Sequence, residues 1–246
     1  MKRFRWRIIL GLTLVLASAA IYWLQVWLCR RPGDTFFYTL QDFAFLPIQV
    51  LLVTLVINEM LILRERAALH RKLNMVIGAF FSEVGTSLLK LLSRFDAGSS
   101  EIAPLVIVNA DWSDRDFASN SMLIRRRDYA IDSRRGDLAG LRSALVEKRV
   151  VLLRLLANPS LLEHESFTEV LWAISHLAEE LELRTDLTSL PDSDYDHLSG
   201  DIQRAYSRLL SEWVLYARHL KAEYPYLFSL VIRTNPFDPQ ASPIVK

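Results

Sequence analysis

One run of residues, from Phe43 to Phe95, constrains the fold more than any other part of this chain. Residues 43–58 carry no charged side chain, and the apolar sequence resumes immediately after Glu59. The hydrocarbon core of a bilayer is about 30 Å thick and a helix rises about 1.5 Å per residue, so a span needs about 20 residues. The run therefore predicts a membrane-spanning helix over residues 43–63.

The second half of the run is amphipathic. After a basic stretch at 64–72, apolar side chains recur at steps of three and four, which is the helical period and forms one stripe. The stripe consists of Leu69, Leu73, Val76, Ile77, Phe80, Val84, Leu88, Leu91 and Phe95. We expect the span to continue into this helix. Its stripe would pack in a bundle core or, alternatively, in a coiled-coil seam between copies of the chain.

A simpler apolar stretch precedes this run. Residues 1–7 carry four basic side chains, and residues 8–28 carry no charge. The opening also resembles a secretory signal, because 17–19 (Ala-Ser-Ala) fits a small-x-small cleavage site. Residues 20–28 remain apolar where a cleaved signal would turn polar, so the sequence predicts an uncleaved span over 8–28.

Basic residues set the predicted orientation. Lys and Arg number four in 1–7, two between the predicted spans and four in 64–72. The positive-inside rule then predicts a protein of the bacterial inner (plasma) membrane with both termini on the cytoplasmic side. The predicted organisation is a cytosolic tail (1–7), a transmembrane hairpin (8–63) with an outer loop (29–42), a cytosolic α-helical domain (64–234) and a C-terminal tail (235–246).

The predicted spans contain a few uncharged polar side chains. Ser18 and Gln25 lie on one face of the first span, and Thr54 and Asn58 on one face of the second. Such groups usually form hydrogen bonds between membrane helices, whereas a conducting path more often contains charged residues. These four residues are therefore predicted interhelical contacts. In the alternative interpretation, Thr54 and Asn58 line the path of a small oligomeric channel or transporter.

The remainder of the chain predicts an all-α domain. Glycine is scarce, and Leu, Ala, Arg and Glu abound. Three serines, Ser113, Ser166 and Ser193, each precede an acidic residue by three positions, which is typical of helix starts. The predicted helices are 114–127, 137–157, 167–184 and 194–223. Residues 150–156 are apolar almost all round, so the second of these helices is predicted to be central in the core.

Charge is segregated along this domain. Residues 115–156 hold ten basic and five acidic side chains, whereas 158–200 hold ten acidic side chains and only Arg184 as a base. The densest basic patch consists of Arg125, Arg126, Arg127, Arg134 and Arg135. We predict that this patch contacts anionic lipid or a protein partner. Two alternatives stay open: the patch binds a phosphate ligand, or the basic and acidic halves face each other within the fold.

The sequence gives no positive evidence for catalysis or a cofactor. His176 with Glu179, and Asp194 with His197, share helix faces, but a metal site would need such pairs to converge from facing helices, so no metal is predicted. There is no glycine-rich phosphate loop or nucleophile elbow, and a single cysteine allows no intramolecular disulfide. A net charge of +1 does not indicate nucleic-acid binding.

The leading hypothesis is an integral inner-membrane protein with a cytosolic helical interaction, signalling or scaffold module. Its expected partners are the lipid bilayer and either another protein or a second copy of the chain. Besides the channel or transporter subunit, one further alternative is a membrane-tethered enzyme that uses the Arg125 patch and His176. No catalytic residue is predicted, and enzymatic activity is not expected.

Overall fold

The computed structural model describes residues 16, 19–21, 23–24, 27, 32–159, 161 and 164–244. Within its helices, the side chains at 32, 34–35, 39–40, 44, 47–48 and 66–72 lie outside the description. Every element with defined bounds is a helix, and the one β-type contact among the described residues is an isolated antiparallel bridge between Asp96 and Ile131. The predicted all-α fold class is confirmed, while the transmembrane hairpin stays a prediction.

The helices follow one another along the chain with short connections. They are α1 (Pro32–Phe80), a π-helix (Phe81–Gly85), α2 (Thr86–Leu92), two 3-10 helices (Ser93–Phe95 and Ser99–Ile102), α3 (Ala103–Val106), α4 (Asp114–Arg126), α5 (Leu138–Leu156), α6 (Glu165–Leu183), α7 (Asp192–Glu223) and α8 (Pro225–Arg233). Contacts divide the chain into two compact units, unit 1 (Met1–Arg66) and unit 2 (Ala67–Lys246), and the division falls within α1.

Unit 1 exposes its apolar side chains. Its exposed large hydrophobic residues range from 48 % at Leu46 to 72 % at Phe36, and Ile62 is half-buried. The outer loop predicted over 29–42 is corrected here, because the chain is helical from Pro32 onward. Proline is favourable in the first turn of a helix, where its missing N–H costs no hydrogen bond and its φ is already helical.

Unit 2 has a continuous hydrophobic core organised around α7. This helix packs against α2, α4, α6 and α8, and it buries Tyr206 and Trp213, which are among the largest enclosed side chains. The prediction that α5 is central is wrong. α5 packs chiefly against α6, and Val150 and Leu153 on it are 58 % and 54 % exposed. An apolar surface on all sides does not specify how many neighbours a helix will have.

The stripe beyond residue 72 lies in this core. Leu73, Ile77, Phe80, Val84 and Leu88 are only 1–3 % exposed. Within the described residues, the stretch Leu73–Phe95 is the one long and apolar enough to cross a membrane, and 44 % of it is buried inside the structure. A core helix of a bundle has the same length and composition, and the burial of the stripe assigns this stretch to the core of unit 2.

Only one of the three predicted capping boxes forms. The amide of Asp116 donates to Ser113 Oγ at 3.4 Å, and the amide of Ser113 donates to Asp116 Oδ2 at 2.7 Å, which confirms the box at the start of α4. The box predicted at Ser166 is wrong, because α6 begins earlier and is capped by His164 Nδ1. The one at Ser193 is also wrong, since α7 begins one residue before it without a side-chain cap.

Candidate functional site

Two neighbouring helices of unit 2 each present a histidine followed four residues later by a carboxylate. On α6 these are His176 and Glu180, and on α7 they are His197 and Asp201. A spacing of four places both members of a pair on one face of a helix. Because α6 and α7 pack against each other, the two pairs converge, and we refer to the four residues as the His–carboxylate cluster.

Both imidazoles face both carboxylates. His176 Nε2 lies 3.5 Å from Asp201 Oδ2 and 3.8 Å from Glu180 Oε1. His197 Nε2 lies 3.3 Å from Asp201 Oδ2 and 3.6 Å from Glu180 Oε2. Asp201 Oδ2 is therefore the atom around which the cluster is arranged.

The cluster is buried on the Asp201 side and exposed to solvent on the histidine side. The Asp201 side chain is 2 % exposed, whereas those of His176 and His197 are 45 % and 51 % exposed. Asp201 Oδ2 is enclosed and accepts no hydrogen bond from any described residue. A buried carboxylate oxygen without a donor is costly, so this position calls for a positively charged neighbour.

Two arginines hold the carboxylates of the cluster in place. Arg204 Nη1 donates to Asp201 Oδ1 at 2.5 Å, and Arg184 Nη1 donates to Glu180 Oε2 at 2.7 Å. The Arg184 guanidinium also donates to both oxygens of Asp194. Its hydrogen bond lowers the pKa of the Glu180 carboxyl, with smaller contributions in the same direction from the two histidines. Both carboxylates are thus oriented: Asp201 keeps Oδ2 towards the imidazoles, and Glu180 faces His176 with Oε1 and His197 with Oε2.

This arrangement has the donor atoms of a metal site. Imidazole nitrogens and carboxylate oxygens are common ligands of divalent transition metals. His176, Glu180 and Asp201 each offer one such atom, all within 4.8 Å of one another. The side chains can also form imidazolium–carboxylate ion pairs when the histidines are protonated.

The sequence pattern identifies both histidines but pairs them with acids outside the cluster. Glu179, the expected neighbour of His176, is exposed, and Asp194, the expected neighbour of His197, binds Arg184. The signal that could have identified the cluster is a His-x-x-x-acid spacing that occurs on two consecutive predicted helices.

A cationic cleft adjoins the cluster. A cavity of about 480 Å³ is lined by Arg125, Arg204 and Arg208, with Glu169 as its acidic residue. A second depression of about 310 Å³ is lined by Arg204, Arg208 and Glu169 as well, and it includes His176. Glu169 Oε2 accepts from Arg208 Nε at 3.3 Å and lies 3.7 Å from Arg125 Nη2. Arg125 and Arg208 share Glu169, and Arg204 binds Asp201, so the three guanidinium groups keep further N–H donors for an anionic ligand.

The five arginines of the predicted basic patch contact different elements. Arg125 Nε donates to Ser211 Oγ (3.2 Å), Arg127 Nη2 to Glu101 Oε2 (2.5 Å) and Arg134 Nη2 to Asp192 Oδ1 (2.7 Å), whereas Arg126 and Arg135 are exposed. Arg149 likewise bonds Glu182. The Arg134–Asp192 and Arg149–Glu182 pairs therefore join the basic and acidic segments, whereas Glu101 and Ser211 lie outside the acidic segment. Contact of the patch with lipid, a phosphate ligand or a partner stays a prediction.

The polar residues predicted to join the membrane helices are only partly described. Thr54 Oγ1 donates to the carbonyl of Val50 at 2.7 Å, within its own helix, and Asn58 is exposed. Ser18 and Gln25 lie outside the described residues. The interhelical role of these residues stays a prediction.

Comparison with known proteins gives a consistent result along the chain. Residues 69–233 match the family model described as the C-terminal helical domain of the uncharacterized protein MJ1433, and residues 2–61 match that of its N-terminal helical domain. The uncharacterized protein MJ1433 of Methanocaldococcus jannaschii is 42 % identical to this chain over 234 residues, which cover 95 % of this chain and 94 % of the relative. No solved structure matches.

Proposed function

From the premise that this chain belongs to the family of the uncharacterized protein MJ1433, whose description names no activity, we propose that it is an integral membrane protein carrying a non-catalytic helical module for interaction, signalling or scaffolding. The module, unit 2, lies on the cytoplasmic side of the plasma membrane. One observation supports the membrane part above all: the exposure of the apolar side chains of unit 1.

These side chains surround the helix rather than lining one face of it. The apolar residues at 50–53 and 55–57 are 51–60 % exposed, and consecutive positions point to all sides of a helix. A protein partner would cover one stripe, whereas lipid covers the whole circumference. Exposing such a surface to water costs about 25 cal/mol per Å² of apolar area, so an apolar solvent is the environment that suits this segment.

Two spans, 8–28 and 43–63, form the proposed hairpin. The second is helical along its length, although three of its side chains lie outside the description. The first lies mostly outside the described residues, but Trp23 and Trp27 in it are 70 % and 65 % exposed. Tryptophan is enriched at membrane interfaces, and the excess of basic residues flanking the hairpin supports cytoplasmic termini.

The interaction role of unit 2 is supported by an apolar stripe on α5. Val146, Val150 and Leu153 follow one another at steps of four and three, so they share one face, and they are 44–58 % exposed. An exposed stripe of this kind is typical of a surface that packs against another helix. The proposed partner is another protein or a second copy of the chain.

Protease treatment of intact spheroplasts that express the full chain tests the topology. We expect the C-terminal portion to resist protease from outside and to be digested in inside-out vesicles, with the protein remaining in carbonate-washed membranes. Digestion from outside would contradict the proposed orientation.

Cysteine crosslinking in membranes tests the partner. In a Cys29→Ser background, we expect Leu153→Cys to give a defined crosslinked species and the exposed control Arg126→Cys to give none. Recovery of monomer alone from both variants would contradict the interaction role.

A membrane-tethered enzyme or receptor for an anionic substrate is a second candidate, and the arginine-lined cleft beside His176 favours it. We expect Arg208→Gln to weaken the binding of inorganic pyrophosphate, and Arg126→Gln, which lies outside the cleft, to leave it unchanged. If the unaltered protein shows no saturable pyrophosphate binding by calorimetry, this candidate is removed. The channel alternative has no such support, because the Thr54 hydroxyl bonds its own helix.

A further inference from the structure

We infer that the His–carboxylate cluster binds a divalent first-row transition-metal ion such as Zn²⁺. His176, Glu180 and Asp201 supply the first three ligands, and His197 supplies the fourth. The inference concerns unit 2 alone, so it does not depend on the membrane topology or on the partner proposed above.

The spacing of the donor atoms fits such an ion. Zinc binds imidazole nitrogen and carboxylate oxygen at about 2.0–2.2 Å, so tetrahedral geometry separates neighbouring ligand atoms by about 3.3 Å. The four imidazole–carboxylate distances in the cluster run from 3.3 to 3.8 Å. The donor atoms of His176, Glu180 and Asp201 all lie within 4.8 Å of one another, and His197 Nε2 adjoins both carboxylates.

A second, independent observation is the isolation of Asp201 Oδ2. This oxygen belongs to a side chain that is 2 % exposed, it has no hydrogen-bond donor among the described residues, and it points at both histidines. The other oxygen of the same carboxylate accepts from Arg204, so the orphan atom is left for a different cation. A metal ion between the carboxylate and the imidazoles satisfies it directly.

The convergence of two histidines on one oxygen favours a metal over ion pairing. His176 Nε2 and His197 Nε2 lie 3.5 and 3.3 Å from Asp201 Oδ2. If both imidazoles were protonated, two like charges would sit side by side, which is unfavourable. Two neutral imidazoles can instead direct their lone pairs at one metal ion. The cluster then contains a single added cation.

The surroundings indicate the class of metal. The cluster contains no thiolate or thioether, which Cu(I) prefers, and two imidazoles are poor ligands for Ca²⁺ or Mg²⁺, which take oxygen. Arg204 binds Asp201 Oδ1 and Arg184 binds Glu180 Oε2, as groups around a metal site commonly do to orient its ligands. The exposed side of the histidines leaves room for a water or an anionic ligand from the adjoining cleft.

The test uses the full-length protein in detergent, stripped with EDTA and titrated with Zn²⁺ by isothermal calorimetry. We expect one equivalent of Zn²⁺ per chain, and Co²⁺ in its place to show the visible absorption bands of a four-coordinate site. His176→Ala and His197→Ala each remove an exposed side chain and should weaken Zn²⁺ binding at least about 10-fold. Glu179→Gln removes one charge from the same helix outside the cluster and should keep the wild-type affinity.

Two results would overturn the inference. One is equal Zn²⁺ affinity in the wild type and in the His176→Ala/His197→Ala double variant, with circular dichroism showing both to be folded. The other is a loss in Glu179→Gln as large as in the histidine variants, because that would assign binding to general negative charge. Asp201→Asn should also weaken Zn²⁺ binding. If this substitution at a buried position disturbs folding, the variants at the two exposed histidines still test the inference.

Discussion

The two units differ in how far their large apolar side chains are exposed. In unit 2, Tyr206 and Trp213 are 0 % and 2 % exposed, whereas large apolar residues of unit 1 are 48–72 % exposed. The buried apolar residues of unit 2 fall on stripes that face neighbouring helices, while the exposed ones at 50–53 are consecutive and surround their helix. Burial within a chain needs both a stripe and a partner element, and the consecutive exposed apolar positions of unit 1 do not form a stripe.

The largest expected effect concerns tryptophan at positions of opposite exposure. Trp213→Ala should destabilise the protein by about 3–5 kcal/mol, because it leaves a cavity in the core. Trp23→Ala and Trp172→Ala, at 70 % and 62 % exposed positions, should change the free energy of unfolding by no more than about 0.5 kcal/mol. Denaturant unfolding in detergent measures all three, and similar losses at every site would contradict the contrast in burial.

A charge introduced into unit 1 should act on membrane insertion rather than on folding. Leu52→Arg should make insertion less favourable by about 2.5–3.5 kcal/mol, the cost of arginine near the centre of a span. We expect the carbonate-resistant membrane fraction to fall in this variant and to stay constant in Leu52→Ile. Leu123→Arg, at a 53 % exposed position of unit 2, is the matched control and should also leave it unchanged. An unaltered membrane fraction for Leu52→Arg would remove the second span.

Two glycines provide a finer test of how tightly each unit is packed. A Cβ at Gly136 would collide with the ring of Phe95, which is 1 % exposed and has little space to move, so Gly136→Ala should cost about 1–3 kcal/mol. A Cβ at Gly33 would meet no atom of the described part within 4 Å. Gly33→Ala should therefore be neutral or stabilise its helix by up to about 1 kcal/mol. Thermal unfolding distinguishes the two, and equal effects would argue against close packing around Phe95.

The smallest expected effect depends on pH. Burial raises the pKa of Glu212 above its ordinary value of 4.5, against the lowering effects of His164, Ser166 and Arg125. Because the folded-state pKa is raised, the stability that Glu212 contributes is fully present below pH 4.5 and is lost as the pH rises through the folded-state pKa. Glu212→Gln does not ionise and can keep its hydrogen bond with Ser166.

We therefore expect Glu212→Gln to increase the free energy of unfolding by about 1 kcal/mol near neutral pH, and so to raise the Tm above that of the wild type. In acid this difference should disappear. Thermal melts at about pH 4 and about pH 7.5 measure the difference. A gain of equal size at both pH values would show that ionisation of the buried carboxyl is not its cause.

The sequence predicts the helices of unit 2 well, because its stripes repeat with the helical period over long stretches. The helices expected at 114–127 and 194–223 are found at Asp114–Arg126 and Asp192–Glu223. Which helix is central is not predictable in this way, since residues 150–156 of α5 are apolar almost all round yet α5 packs chiefly against α6. Local periodicity reports one helix at a time and does not count its neighbours.

The candidate site could be predicted from the sequence only in part, for a similar reason. His176 and His197 could be named from the sequence, but their convergence depends on how far α6 is displaced along α7, which is a property of packing. Asp201 illustrates the point. Its burial and the isolation of its Oδ2 arise from the contact between two helices, and neither follows from the residues on its own helix.

The π-helix at Phe81–Gly85 has a consequence for the length of the chain. It widens one turn, so that adjacent rings both find partners: Phe80 packs edge-on against Phe167, and Phe81 stacks on Tyr216. The wide turn accommodates one residue more than an α-helical turn, so deleting a single residue there would restore ordinary winding and keep the later positions on their faces. A deletion just after the π-helix, at Thr86 or Ser87, would instead rotate every later position by about 100° and turn Leu88 away from the interior.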